Sequence, residues 1–320
     1  MKKIIIDTDI GDDIDDAFAL LTALSEPELE ILGITTVFKN TPQRAQIVRY
    51  LLRLAGKETI PVYAGIEVPL NGLIEKWNYE QYQEDGKIRI HHYLDEMASE
   101  KYAPGNAVDF ILETAAKYPG EVTLVALGPF MNVAAAKKKD NERFALLKEA
   151  YIMGGQPMDT YPEWNVRVDP LSASEFFSSG LPITCVGLNV TVSCKLYEKQ
   201  IECLNKFTSP AIVAVRNMMR VWIESNNPKP DFGNNRYPTM HDPLCVLSLA
   251  YDDICQFEDM HISVKENGIT VREEEGLKMR MAVLIDLEKF YERFFGALKT
   301  LEEKQQELED AKQELEDGRQ

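Results

Sequence analysis

Short β-branched apolar runs alternate along the chain with segments of helical period, and this alternation predicts a parallel sheet. Ile4 to Ile6 is an apolar run closed by Asp7, the pattern of a strand covered on both faces. Ala17 to Leu24 is apolar at helical spacing and stops at Ser25-Glu26-Pro27. Leu29 to Val37 predicts a second strand and Ile60 to Tyr63 a third. Between them, Thr41 to Ala55 predicts a helix opened by Thr41 as N-cap and Pro42 in the first turn. Strand, helix, strand, helix, strand implies right-handed crossovers and parallel pairing.

Residues 66–103 break the rhythm with Trp77, four tyrosines, His91, His92 and many charges at no clear period. A long polar and aromatic insertion in a compact domain is often a lid or a binding loop. The rhythm then resumes. Helices are expected over Asn106 to Tyr118, Asn132 to Lys138 and Pro170 to Phe177, and strands over Val122 to Leu127, Ala150 to Met153 and Ile183 to Val186. Residues 198–224 read as a helix, 225–240 as a Pro/Asn-rich loop, 243–251 as a helix, and 260–285 as two edge strands joined near Gly268. From Phe290 a long helix is expected, with Phe294, Leu301, Leu308 and Leu315 recurring at heptad spacing. That row fits either a solvated helical extension or a short coiled-coil contact with a partner. The expected fold is α/β: an open, mostly parallel, Rossmann-like sheet with helices on both faces over residues 1–290, and an acidic helical extension over 291–320.

Composition narrows the partners. The 320 residues carry a formal charge of −17, with a pI near 4.8, which argues against nucleic acid or an anionic membrane as the main partner. No apolar run approaches 18 residues, so no membrane span is expected. The start, Met-Lys-Lys followed by three isoleucines and Asp7, lacks the h-region of a secretory signal. Cys185, Cys194, Cys203, Cys245 and Cys255 form no CxxC and have mostly apolar neighbours, so reduced thiols and a cytoplasmic location are expected.

The densest chemistry is Asp7, Asp9, Asp12, Asp13, Asp15 and Asp16, six carboxylates within ten residues between a buried strand and a helix. Open α/β sheets bind ligands at such strand ends. Helix capping needs one or two aspartates, not six, and so many carboxylates repel unless a cation joins them. Several oxygens around Gly11, with no nearby Cys or His, suit Ca²⁺ or Mg²⁺. An EF-hand counted from Asp7 fails, because Asp12 and Phe18 stand where Gly and Glu are needed. A Mg²⁺ phosphatase of haloacid-dehalogenase type, with Asp7 as nucleophile and Asp252-Asp253 as the later acidic pair, remains open.

Asp7-Thr8-Asp9-Ile10-Gly11 with Asp15-Asp16-Ala17 resembles the N-terminal signature of the inosine–uridine-preferring nucleoside hydrolases. Further similarities follow in order: Ile34 to Asn40, Ile60 to Gly65, Val125 to Ala134, Ile152 to Gly155, Glu163 to Asn165, Val168 to Pro170, and Met240 to Leu244. The resemblance covers about residues 3–290. It implies Ca²⁺-dependent hydrolysis of a ribonucleoside to ribose and free base, in a protein that is commonly a homodimer or homotetramer. It makes Asp9 the general base and a metal ligand. Asp16, Asp242 and the main-chain carbonyl of Leu127 would complete the metal site. Asp15, Asn40, Met153, Glu163 and Asn165 would bind the substrate's ribose, and His241 would protonate the leaving base, with Trp222, Phe232 and Tyr237 as reserves. Asp7 would lie behind the ligands. The loop is two residues longer than the common pattern, so Asp13 and Asp15 could exchange roles. Lys39 stands where a glycine is usual. A homologue that binds nucleoside or sugar without turnover is the non-enzymatic alternative.

Overall fold

The computed structural model describes residues 1–70, 81–83, 86–226 and 237–317, with backbone alone at 81, 82, 226, 308, 309 and 311–317. The opening units are β1 (Lys2–Thr8), α1 (Asp15–Ser25), β2 (Leu29–Thr36), α2 (Thr41–Leu54) and β3 (Val62–Ala64). Every residue of β1 from Ile4 to Thr8 is buried, because β2 pairs with it on one edge and a later strand, Val122–Ala126, on the other, both parallel. Alternate side chains serve opposite faces: Ile4 and Ile6 join Phe18, Ile47 and Leu244, while Ile5 joins Leu124, Phe130 and Phe176.

The insertion forms a small ribbon, β4 (Gln81–Tyr82) and β5 (Ile88–Arg89), which pair antiparallel, followed by a 3₁₀ turn at Asp95–Ser99. Trp77 lies outside the described residues. The second half of the sheet follows through α3 (Ala107–Lys117), β6 (Val122–Ala126), α4 (Met131–Lys139), α5 (Asn141–Phe144), β7 (Glu149–Met153), α6 (Trp164–Val168), α7 (Pro170–Phe177) and β8 (Ile183–Val186). Then come α8 (Leu188–Thr191), α9 (Glu198–Leu204), α10 (Pro210–Asn226), α11 (His241–Ala250), β9 (Cys255–Val264), β10 (Thr270–Arg272), β11 (Leu277–Ile285) and α12 (Leu287–Asp317). The main sheet has nine strands in the order β10-β9-β11-β8-β7-β6-β1-β2-β3, so the expected open, mostly parallel α/β fold is observed. From β1 the chain winds outward to β2 and β3, then returns to β6 on β1's other edge. That reversal is the switch point where such sheets open a crevice.

Three expectations are corrected. The cap of α2 is Asn40, whose Oδ1 accepts from Gln43 N, while the Thr41 hydroxyl donates to Gly65 O. The helix expected over 198–224 is two helices, because Pro210 opens a new one. Glu302 from α12 satisfies its entry by accepting from Thr208 N, Ser209 N and the Thr208 hydroxyl. The two edge strands expected over 260–285 are three. A second turn at Glu273–Gly276 follows the one at Gly268, and β11 is internal, antiparallel to β9 and parallel to β8.

The first half of α12 belongs to the core: Phe290, Phe294, Leu298 and Leu301 are buried, and Phe294 meets Phe18 edge-on at 5.7 Å. Lys304 Nζ donates to Ser25 O at 3.3 Å, and Gln305 Nε2 to Leu54 O. The side chains of Leu308 and Leu315 lie outside the described residues. No helix among the described residues is long and apolar enough to cross a membrane. All five cysteines are free, four of them buried.

Candidate active site

The site sits at the C-terminal ends of β1, β6 and β7. Asp7, the second-to-last residue of β1, is wholly buried: its Oδ1 accepts from Thr35 Oγ1 at 2.6 Å and from Asn132 Nδ2 at 2.7 Å. Asn132 also donates to Thr36 O and accepts from Ile66 N, which binds β1, β2 and the loop after β3 into one frame. Burial pushes the Asp7 carboxyl up to about 7. A carboxylate enclosed in this way cannot reach a phosphoryl group. Asp253, the supposed partner in a phosphatase, instead pairs with Lys289 and Arg293 at an exposed turn.

The loop from Asp9 to Ile14 carries the chain into α1. Asp15 and Asp16 occupy the first turn of α1, where the unsatisfied N–H groups of a helix favour negative charge. There they meet Asp242, in the first turn of α11, and one carboxylate oxygen from each lies within 4.8 Å of the others. Asp242 N donates to Asp15 Oδ2 at 3.3 Å, and the Thr8 hydroxyl donates to Asp16 Oδ1. All three are buried; burial, then the charges of Asp13 and Asp16, holds Asp15 well above the ordinary carboxylate range, and burial, then those of Asp15 and Asp16, does the same for Asp242. Burial raises Asp16 to about 6 and, with the neighbouring Asp16 charge, Asp9 to about 8. Arg44 and Lys39 pair with Asp12 instead. A pocket of hard oxygen donors whose charges oppose one another fits a divalent cation such as Ca²⁺ or Mg²⁺. The structure thus brings Asp15 into the cluster and leaves Asp13 exposed, its carboxylate accepting from Ile14 N.

The remaining wall is built from β6 and β7. Asn165 Nδ2 donates to Leu127 O at 2.6 Å and to Met153 O at 3.1 Å, tying the two strand ends together. Glu163 caps α6: its carboxylate accepts from Asn165 N, Val166 N and Gly155 N. Burial pushes it up to about 7. Asn40 spends its amide on Gln83 Oε1 and Ile88 O as well as on the cap of α2. His241 Nδ1 lies 2.7 Å from Thr191 Oγ1, and burial, reinforced by Lys195, pushes the imidazole down to about 4. Trp222 is half-buried on α10, Tyr237 donates to Glu198 Oε1, and Phe232 lies outside the described residues.

The insertion, expected as a lid or a binding loop, lies against the aspartate loop and α2, with His92 N donating to Gly11 O and Ile90 N to Gln43 Oε1. Its His91 reaches Ser225 at the end of α10, Nε2 to Oγ 2.9 Å. What sequence reasoning missed is Arg44, fully buried beneath the loop. An arginine at helical spacing gives no signal of burial.

An open sheet with buried carboxylates gathered at its switch point is the layout of an α/β enzyme acting on a small polar ligand. The chain belongs to the inosine-uridine preferring nucleoside hydrolase family, whose sequence model matches residues 4–292. It is 34% identical over 291 residues to uridine nucleosidase 1 of Arabidopsis thaliana, covering 87% of this chain and 83% of that protein. It is 29% identical to a pyrimidine-specific ribonucleoside hydrolase of Photobacterium profundum, covering 83% and 86%. Among solved structures, a purine-preferring ribonucleoside hydrolase from Gardnerella vaginalis superposes with a TM-score of 0.79 at 25% identity, over 94% of this chain and 99% of that one. The chain is a ribonucleoside hydrolase, an N-glycosidase.

Proposed function

We propose that the protein hydrolyses the N-glycosidic bond of a ribonucleoside in a Ca²⁺-dependent reaction, releasing ribose and free base. The observation that carries this reading is the meeting of Asp15, Asp16 and Asp242 from opposite ends of the chain. With Asp9 and the Leu127 carbonyl, Asp16 and Asp242 would hold the cation, and Asp15 beside them would take a ribose hydroxyl. The bound cation would supply a Lewis acid that orients the ribose hydroxyls and makes water more acidic.

The chain's own groups then divide the work. Cleavage passes through an oxocarbenium-like sugar, so water must be deprotonated on one face and the departing base neutralised on the other. Asp9 takes the proton from the attacking water, the general-base role of a carboxylate held beside that water. Asn40, Met153, Glu163 and Asn165 shape the ribose pocket. His241 gives a proton to the leaving base. Unpaired buried cysteines fit a reducing, cytoplasmic setting, and the release of free base fits a role in nucleoside salvage.

A panel of uridine, cytidine, inosine, adenosine and guanosine, read by free ribose with and without a chelator, tests the reading. Chelator-sensitive ribose release supports it. Binding of nucleoside without ribose release would make the protein a non-catalytic homologue, and unimpaired release in the chelator would remove the cation from the reaction.

A further inference from the structure

Arg44 is the largest wholly buried side chain among the described residues. Its guanidinium donates to four acceptors: Nε to Phe38 O at 2.8 Å, Nη1 to Ile10 O at 2.7 Å and to Asp9 O, and Nη2 to Asp12 Oδ2 at 2.8 Å. Lys39 Nζ, with no exposed side-chain surface, lies 3.0 Å from the same Asp12 oxygen. Two cations have been taken out of water around one carboxylate. Such an arrangement costs desolvation free energy that a packed apolar cluster would not, so stability alone does not account for it.

The backbone points the same way. Phe38 and Lys39, at φ 68° and 59°, are the two non-glycine residues in the left-handed region among the described residues. Strain of this kind is unfavourable and persists only where the surroundings impose it. The two turned residues aim the Phe38 carbonyl at Arg44 Nε and carry the Lys39 ammonium under Asp12. What the guanidinium grips in return is the main chain of Asp9 and Ile10. Gly11 in turn is closed in by Ile90 and by Ile47, one turn along α2 from Arg44, whose side chains a Cβ there would meet at 2.5 and 2.7 Å.

We propose that Arg44, charge-balanced by Asp12 and seconded by Lys39, is a positioning residue that fixes the main chain of Asp9 so that its carboxylate faces the attacking water. The inference rests on Asp9 as the base. A guanidinium is planar and can serve four acceptors at fixed angles, which an ammonium cannot.

Two variants test it. Arg44→Lys keeps the charge and loses the fork. Lys39→Gly loses the ammonium and suits the left-handed backbone, so it escapes the objection that a damaged core has unfolded the protein. Steady-state kinetics, Ca²⁺ calorimetry and thermal melting are measured on each. Arg44→Lys is expected to lower kcat ~10²-fold, the scale of a misplacement of about 1 Å, with KM and Ca²⁺ affinity held. Lys39→Gly is expected to lower kcat less while its Tm holds or rises. If kcat per folded molecule equals the wild-type value in Lys39→Gly, or falls only in step with Ca²⁺ affinity in both, the positioning role is overturned. A wild-type protein that releases ribose from no nucleoside is a separate result, and it overturns the parent reading together with this one.

Discussion

Gly128 and Asp9 are packed so closely that a Cβ on Gly128 would lie 2.9 Å from both Asp9 N and Asp9 Oδ1. The residue after Leu127 must therefore lack a side chain for the proposed base to keep its place. Gly128→Ala should displace Asp9 and lower kcat ~10²-fold, as misplacement of a reacting group by about 1 Å does. The circular dichroism spectrum should remain that of the wild type. Wild-type turnover in this variant would show that Asp9 has room to spare.

The three clustered aspartates predict effects of opposite sign with and without metal. Asp16→Asn removes one of three mutually repelling buried carboxylates, so the metal-free variant should melt above the metal-free wild type. The same change should abolish the rise in Tm on adding Ca²⁺, which at ~100-fold excess over Kd is worth about 2.7 kcal/mol in a protein that binds one ion only when folded. Scanning calorimetry with Ca²⁺ and with a chelator reads both. Full retention of the Ca²⁺-induced rise would take Asp16 out of the metal site.

The two halves of catalysis separate by leaving group. Asp9→Asn should reduce turnover ~10²–10⁴-fold on every substrate, including p-nitrophenyl riboside. His241→Ala should slow natural nucleosides and spare p-nitrophenyl riboside, whose departing anion needs no proton. Because burial pushes His241 down to about 4 in the free protein, its share of kcat/KM should fade as pH rises past that value. Equal losses on both kinds of substrate would make His241 a support for Asp242 and not the acid.

His92 gives a pH dependence of stability. It is buried, and neither ring nitrogen has a hydrogen-bond partner among the described residues. Burial, then the neighbouring His91, pushes it down to about 3 from an ordinary 6.5. The stability it contributes as a neutral ring is present above pH 6.5 and is lost as pH falls toward 3, where the unfolded chain takes up a proton that the folded one refuses. The loss approaches ~1.4 kcal/mol per pH unit. His92→Phe should flatten that acid limb in urea melts run from pH 7 to pH 4. Parallel curves for variant and wild type would show that His92 protonates without cost when folded.

The parts of the fold that the sequence made legible are those whose signal is local. A β-branched run buried on both faces, such as Ile4 to Ile6, is set by its own composition, and so is an aspartate cluster between strand and helix. What escaped depends on partners far along the chain. The break between α9 and α10 is sealed by Glu302, more than ninety residues on, and no local window contains it. Asn40 and Thr41 are both good caps, and the choice falls to Asn40 because Gly65 O engages the Thr41 hydroxyl. Asp13 and Asp15 are equivalent as letters. Only the start of α1 at Asp15 and the arrival of Asp242 from α11 separate them.

Glu302 also determines where the chain tolerates being cut. It holds the entry of α10, whose far end carries Ser225 against His91 on the insertion. A polypeptide ended at residue 290 would strip Phe18 of its ring partner and leave that entry unsatisfied, so damage at one pole would be felt at the rim of the pocket. A truncation therefore has to leave α12 intact through Gln305, whose amide still grips the end of α2 and so ties the C-terminal helix to the frame behind the pocket.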